Sequence, residues 1–286
     1  MSYLSTLVPS VLLKRLSSKE VDYLKTIFIR FKGLPDLNEL WGLIDETWVE
    51  LGCDPYKIDG RVKKFYKHPV WLVNGLFSDI DPLSIKFRKI FTSWVKAQAP
   101  KRVADFGGGF GALATFIGKA LPNTHIEIID PHPNPAVKEY RLLKNVKFAN
   151  HFSGKYDLII ATDVFEHVSD PITDLKKTGK YLHSGGWYLI ANCFQPVIMC
   201  HLPQHFHLSG VWDYIMKAMG YEICEKVSYG RAYRKIKKSD EVLARKISKR
   251  AKKIYLLIKC FQVKRFARIK NILDKFYNGI CHYVFR

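Results

Sequence analysis

The segment from Val103 to Gly111 constrains the fold more than any other part of the chain. Val103-Ala104-Asp105-Phe106 is a short apolar run carrying one carboxylate, and glycines follow at alternate positions, Gly107, Gly109 and Gly111. From Ala112 to Leu121 the apolar residues recur at helical spacing. The pattern predicts a strand, a glycine turn and a helix, with bare backbone and a helix N-terminus facing any ligand laid on the turn.

The glycines alone leave the ligand open, because the dinucleotide pattern G-x-G-x-x-G/A can be placed on Gly107, Gly109 and Ala112. Asp105 points elsewhere: a carboxylate ahead of the turn repels a pyrophosphate and suits a cationic, phosphate-free ligand. The acidic-x-G-x-G-x-G form resembles the first motif of class I S-adenosylmethionine-dependent methyltransferases, and the following segments keep step with that family. Ile126-Glu127-Ile128-Ile129-Asp130 reads as a second strand ending in an acid, at the spacing that brings a carboxylate to a ribose. The resemblance assigns Asp130 to the ribose hydroxyls of S-adenosyl-L-methionine. Asn145 to Asn150 reads as the third strand. Many family members follow it with an acid for the adenine amino group; here Asn150 stands instead, and its amide can pair with an adenine edge. Tyr156 to Thr162 is a buried fourth strand. Asp163-Val164-Phe165-Glu166-His167-Val168 has one-turn helical spacing and resembles the D-V-L-E-H-V run of small-molecule methyltransferases, which implies that Asp163 lies near the methionine end of the cofactor. Gly185-Gly186 reads as a turn before a fifth strand, 187–192; Leu208 to Met219 reads as a helix; and strands are expected at Tyr221–Val227 and around Ala232–Ile236.

Alternating strands and helices predict an α/β protein. The resemblance implies a Rossmann-like, seven-stranded, mostly parallel sheet with helices on both faces and one antiparallel strand near its edge. The expected organisation is an N-terminal helical lid region over residues 1–99, a methyltransferase domain over 100–238 and a basic amphipathic helical tail over 239–286. Lys64 to Phe77 is dense in aromatics; it suits a lid whose rings face a sulfonium, or equally a helix packed on the sheet. The same stretch is similar, more loosely, to methyltransferases of bacterial surface-polysaccharide biosynthesis.

Lys and Arg number 46 against 26 acids, giving a formal net charge of +20. From Arg231 to Arg286 there are eighteen Lys/Arg and three acids, so that this tail carries +15 of the total. Leu243, Ile247, Ile254, Ile258 and Phe261 recur at helical intervals among these cations, and Phe266, Ile269, Leu273 and Phe276 continue the pattern. Three readings compete for the tail: a packed extension with a solvated basic face, peripheral attachment to an anionic membrane through residues 240–286, and nucleic-acid binding. The membrane is the preferred partner. Six scattered cysteines without a C-x-x-C pair read as reduced thiols, with no metal site. With no signal-peptide pattern and no long uninterrupted apolar run, a cytoplasmic protein is expected, peripheral at most to the inner membrane face.

Transfer of a methyl group to a hydroxyl needs alignment and removal of one proton. Histidine suits that role. The candidates are His167 and the dense run His201, His205 and His207, with His205 placed first as the catalytic base and His167 second. The function expected from sequence is O-methylation of a sugar hydroxyl on a surface glycan or lipid-linked precursor. The alternatives are a quinone-like phenol, RNA, or a cofactor-fold binding protein without catalysis.

Overall fold

The computed structural model describes residues 3–141 and 143–264. Seven helices come first: α1 (Tyr3–Leu7), α2 (Ser10–Leu13), α3 (Ser18–Arg30), α4 (Leu37–Glu50), α5 (Gly60–Tyr66), α6 (Val70–Ile80) and α7 (Pro82–Gln98). Local chemistry sets their starts. Ser17 with Glu20 and Asp36 with Glu39 form reciprocal caps on α3 and α4, and Asp81 caps α7 ahead of Pro82. Each such cap satisfies amide donors that no helix can satisfy internally. Leu24, Phe28, Leu40, Ile44, Trp48 and Phe65 bury one face of these helices in a common apolar cluster.

The chain then alternates: β1 (Arg102–Phe106), α8 (Ala112–Ala120), β2 (His125–Ile129), α9 (Pro135–Tyr140), β3 (Val146–Ala149), β4 (Tyr156–Thr162), α10 (Pro171–Gly179) and β5 (Leu182–Ala191). A 3₁₀ turn at Pro203–Leu208 precedes α11 (Trp212–Ala218), β6 (Tyr221–Val227), β7 (Gly230–Lys235) and α12 (Glu241–Lys264). The strands form one sheet in the order β3-β2-β1-β4-β5-β7-β6, in which β7 runs antiparallel to both neighbours. The expected seven-stranded, mostly parallel sheet with one reversed strand next to its edge is therefore the fold observed.

Parallel strands covered on both faces should be apolar at nearly every position, and β4 is: Leu158 and Ile160 face a cluster with Phe91, Val95 and Ile117, while Ile159 and Ala161 face the opposite cluster with Phe165, Leu175 and Ile215. Helices thus cover both faces.

Three local expectations need correction. Asp163 to Asp170 forms turns, not a helix; Asp163 sits at φ 54°, which breaks helical continuation at its first residue. The Gly185-Gly186 pair does not separate a turn from a strand. β5 runs through it from Leu182, and the glycine at φ 72° absorbs a register irregularity where Tyr156 pairs with Leu182 but Leu158 with Trp187. Within 208–219 the helix is shorter than expected, Trp212–Ala218, because Leu208 ends the preceding 3₁₀ turn and 209–211 form a turn. Phe266, Ile269, Leu273 and Phe276 lie outside the described residues. Among the described residues, no helix is long and apolar enough to cross a membrane.

Candidate active site

Open α/β sheets bind ligands beyond the C-terminal ends of their strands. At that edge lies a cavity of about 1280 Å³. Its floor comes from the turns after β1, β2, β4 and β5, and its roof from the N-terminal helices.

The turn after β1 is held by its neighbours as much as shaped for a ligand. Gly107, Gly109 and Gly111 all have φ between 48° and 72°, a region that side chains with Cβ rarely adopt. The Gly107 N–H donates to the carbonyl of Ile129 at 2.8 Å, and a Cβ there would meet Val164 at 2.6 Å. A Cβ on Gly111 would meet Ile128 at 2.8 Å; this residue shapes the entry to α8 and does not line the cavity. Gly109 differs: its nearest neighbour would lie at 3.9 Å, so bare backbone opens on the cavity there.

Asp130 is pinned by both oxygens. Oδ2 accepts from the Gly109 N–H at 2.9 Å and Oδ1 from the His132 N–H at 2.7 Å. The carboxylate ties the first turn to the second, and each oxygen keeps a lone pair for a further donor. Asp105, expected to guard the turn, is only 1% exposed. It lies under Gly108, with Oδ2 lacking a hydrogen-bond partner. Burial, with the Asp130 charge nearby, pushes its pKa up to about 7. Asp105 still belongs to the cavity lining, but the more accessible carboxylates there are Asp130 and, most exposed, Asp163. That side chain is open to the cavity yet ringed by protein. The enclosure lifts its pKa above the ordinary carboxylate range, and a hydrogen bond from the Tyr229 hydroxyl at 2.8 Å pulls the other way.

Asn150 is exposed at the end of β3, where its Oδ1 accepts from Lys138 Nζ at 3.5 Å. It does not reach the cavity wall, so the expected adenine contact has no support. The histidine-dense run separates in space. His205 is buried with Nε2 on the Val168 carbonyl at 2.8 Å, and His207 Nε2 meets Ser248 Oγ at 2.9 Å. Neither lines the cavity; both fasten the 3₁₀ turn, and the base assigned first to His205 is corrected accordingly. His201 and His167 do line it. Each places Nδ1 on a backbone carbonyl, Gln195 at 2.8 Å and Cys200 at 3.0 Å. A carbonyl only accepts, so each neutral ring carries its proton on Nδ1 and keeps a lone pair on Nε2. The rings meet edge to face at 4.8 Å. Burial and the neighbouring His201 lower His167 to about 3, far from the near-neutral value of an effective general base.

Sequence spacing gave no metal set. In space, Glu166, His167 and His201 each offer one ligand atom, all within 4.8 Å of one another, and could hold a metal ion. Glu166 is fully buried; Oε1 accepts from the Cys193 N–H at 2.7 Å, and Oε2 has no partner. The thirty-odd residues between the two halves of this group hid it from pattern reading.

The roof is aromatic. Tyr66 stacks on Trp71 at 5.5 Å and near-parallel to His132 at 6.0 Å. Phe77, Phe87 and Trp41 continue the wall. The roof docks on the floor where Phe110 meets the bare face of Gly75: a Cβ on Gly75 would fall 2.2 Å from the ring.

A glycine turn, an acid at the end of β2 and a seven-stranded sheet with β7 reversed together define the class I S-adenosylmethionine-dependent methyltransferase fold. A family profile described as "Methyltransferase domain" matches residues 86–245, more than half of the chain, and the chain belongs to that family. It is 27% identical over 136 residues to the "Ubiquinone biosynthesis O-methyltransferase" of Thiobacillus denitrificans, covering 42% of this chain and 56% of that protein. It is 25% identical over 158 residues to the protein of the same name from Ralstonia nicotianae, covering 49% and 62%. The chain thus spans about half to three-fifths of the length of the curated relatives it matches. Among solved structures, the CurJ carbon methyltransferase superposes with a TM-score of 0.52 at 10% identity, covering 76% of this chain and 71% of that one; the likeness is one of fold.

Proposed function

We propose that this chain methylates an oxygen of a quinone-like phenol, with S-adenosyl-L-methionine as donor. The observation that carries the reading is the stacked pair of Tyr66 and Trp71 lining the same cavity as Gly109 and the open carboxylate of Asp163. Flat rings offer a flat aromatic acceptor a stacking surface. The relatives named for ubiquinone biosynthesis favour the same acceptor, and the surface glycan expected from sequence gives way to it.

The residues fit the donor. Gly109 offers bare backbone, Asp130 two oriented oxygens for ribose hydroxyls, and Asp163 a carboxylate for an ammonium. When bound, S-adenosyl-L-methionine supplies a methyl group activated by its sulfonium. The protein's own work is then to align the acceptor, exclude water with the helical roof and receive the hydroxyl proton. His167 is too weak a base at about 3 to deprotonate a sugar hydroxyl. A phenol, titrating near 10, is likewise not deprotonated beforehand by such a ring. An Nε2 lone pair of His167 or His201 accepts the hydroxyl hydrogen bond and orients the oxygen, and the proton leaves to that nitrogen and then to solvent as the oxygen–methyl bond forms.

The test is a labelled-methyl assay with an ortho-dihydroxy aromatic carrying a short prenyl tail, run against a sugar panel, beside calorimetry with S-adenosylhomocysteine. Methylation confined to the phenol supports the reading. Cofactor binding with methylation of sugars alone would overturn the acceptor, and absence of cofactor binding would overturn the site.

A further inference from the structure

Among the described residues, the long basic helix α12 buries one face. Ala244 and Ala251 are fully buried, and Ile247, Ile254, Tyr255 and Ile258 pack beside them. The opposite face carries Val242, 67% exposed, with Leu256 at 50% and Leu257 at 60%. At 3.6 residues per turn these apolar side chains share that face with Lys246, Lys249 and Lys253, all exposed. Apolar side chains set among lysines that make no ion pair with the described residues are the mixture an interfacial helix presents to an anionic surface.

A groove of about 900 Å³ runs along one flank of α12. Lys217, Lys237, Lys238, Lys246, Arg250 and Lys253 are in its wall. Asp240 is the one acid among its described lining residues, and its Oδ1 already accepts from the Leu243 N–H at 2.9 Å. The helix is firmly seated: Arg245 reaches Asp170 at 2.8 Å, Lys176 reaches Glu241 at 2.7 Å, and Ser248 meets His207. Asp170 directly follows Val168 and Ser169, which line the active-site cavity, so α12 is fastened to segments that build the site.

We propose that the outward face of α12 is an anionic-membrane docking surface, with Val242, Leu256 and Leu257 entering the headgroup boundary and the lysine-walled groove receiving lipid phosphates. Apolar insertion and electrostatic attraction act together in such helices. Outward leucines favour a bilayer over a nucleic acid, which would need stacking or base-edge contacts instead.

The experiment is flotation of the full chain with vesicles of phosphatidylcholine, with and without phosphatidylglycerol, over rising salt. Flotation should require phosphatidylglycerol and fade with salt. Each lysine near an anionic surface is worth about fivefold in partitioning, so the K246Q/K249Q/K253Q variant should lose about a hundredfold. The L256S/L257S variant should lose flotation while keeping the full charge. Both variants alter exposed side chains, and circular dichroism with methyl transfer to a water-soluble acceptor should match the parent. Failure of the parent chain to float, flotation indifferent to phosphatidylglycerol, or flotation unchanged in L256S/L257S would each overturn the proposal, as would retention of RNA by a chain that ignores vesicles.

Discussion

The hydroxyl of Tyr229 donates to Oδ2 of Asp163 across 2.8 Å, joining the β6–β7 hairpin to the end of β4. Phe87 and Phe91 hold the tyrosine ring from α7, with centroids 4.9 and 5.4 Å away. Three separate stretches of chain thereby fix one cavity carboxylate, and Tyr229→Phe should leave the packing intact while removing the donor. Hydrogen bonds to charged groups are worth about 2 kcal/mol, so S-adenosylhomocysteine affinity should fall roughly tenfold or more by calorimetry.

The same carboxylate gives a pH dependence. Its pKa is raised, chiefly by enclosure, so it is charged above that value and neutral below it. Cofactor affinity should decline on acidification at a higher pH than an ordinary carboxylate would dictate, and Tyr229→Phe should move the decline further up. A titration series in calorimetry reads both.

Gly107→Ala and Gly109→Ala should part company. The first places a Cβ 2.6 Å from Val164 at φ 70° and should cost about 2–4 kcal/mol of stability by strain and overpacking. The second finds room, costs about 1–2 kcal/mol for its left-handed backbone, and fills the cavity floor instead. Thermal melts should show the larger loss for Gly107→Ala, and calorimetry should show lost cofactor binding for Gly109→Ala even where it remains folded.

Buried histidines set an acid limit. His167 is lowered to about 3 and His207 to about 4, both first by burial. A depressed histidine contributes stability above its unfolded pKa of about 6.5, and that contribution is lost as pH falls toward the folded value. Urea melts should therefore show stability dropping from near pH 6.5 downward. His207→Gln should flatten that slope. His205→Ala should cost about 1–3 kcal/mol through the stranded Val168 carbonyl without changing kcat, whereas His167→Ala should lower kcat at least tenfold.

Glu127 accepts from Arg102 and from the Tyr156 hydroxyl, both at 2.6 Å, with Lys147 at 3.2 Å, while only 3% of its side chain is exposed. Burial opposes its charge, but the three donors outweigh it and hold the pKa below the usual range. This stability is present above the unfolded carboxylate pKa and lost as pH falls through the folded one. Glu127→Ala should cost about 2–4 kcal/mol at neutral pH, and less in acid.

The sheet was legible because its signals are local. The central strands β1 and β4 are runs of buried residues, and the glycine turn after β1 is written where the backbone takes positive φ. Asp130 could be located by counting from the turn. The misses share one cause: side-chain direction depends on tertiary packing that no local pattern records. Three histidines in seven residues promised a base at His205, yet the 3₁₀ turn aims that ring at Val168 and only His201 at the cavity. Asp105 looked like an open anion, but the close approach of Gly108 shuts it beneath the turn. Tyr229 carried no motif; an aromatic between Ser228 and Gly230 at a hairpin tip was its sole written trace. Glu166 and His201 are far apart in sequence and meet through the chain's return after β5.

The division of the cavity between an early stretch of helices and a later stretch of strand-end turns has an evolutionary reading. Tyr66 and Trp71 belong to one, Gly109, Asp130 and Asp163 to the other, and they are joined at several points: Phe110 on Gly75, Tyr66 beside His132, Asn134 on Glu20 and the Met199 N–H on Asp45. A descendant that remodels the acceptor wall must therefore keep each of these seams, so new clientele is more readily won by changing rings inside the vessel than by exchanging one half of it.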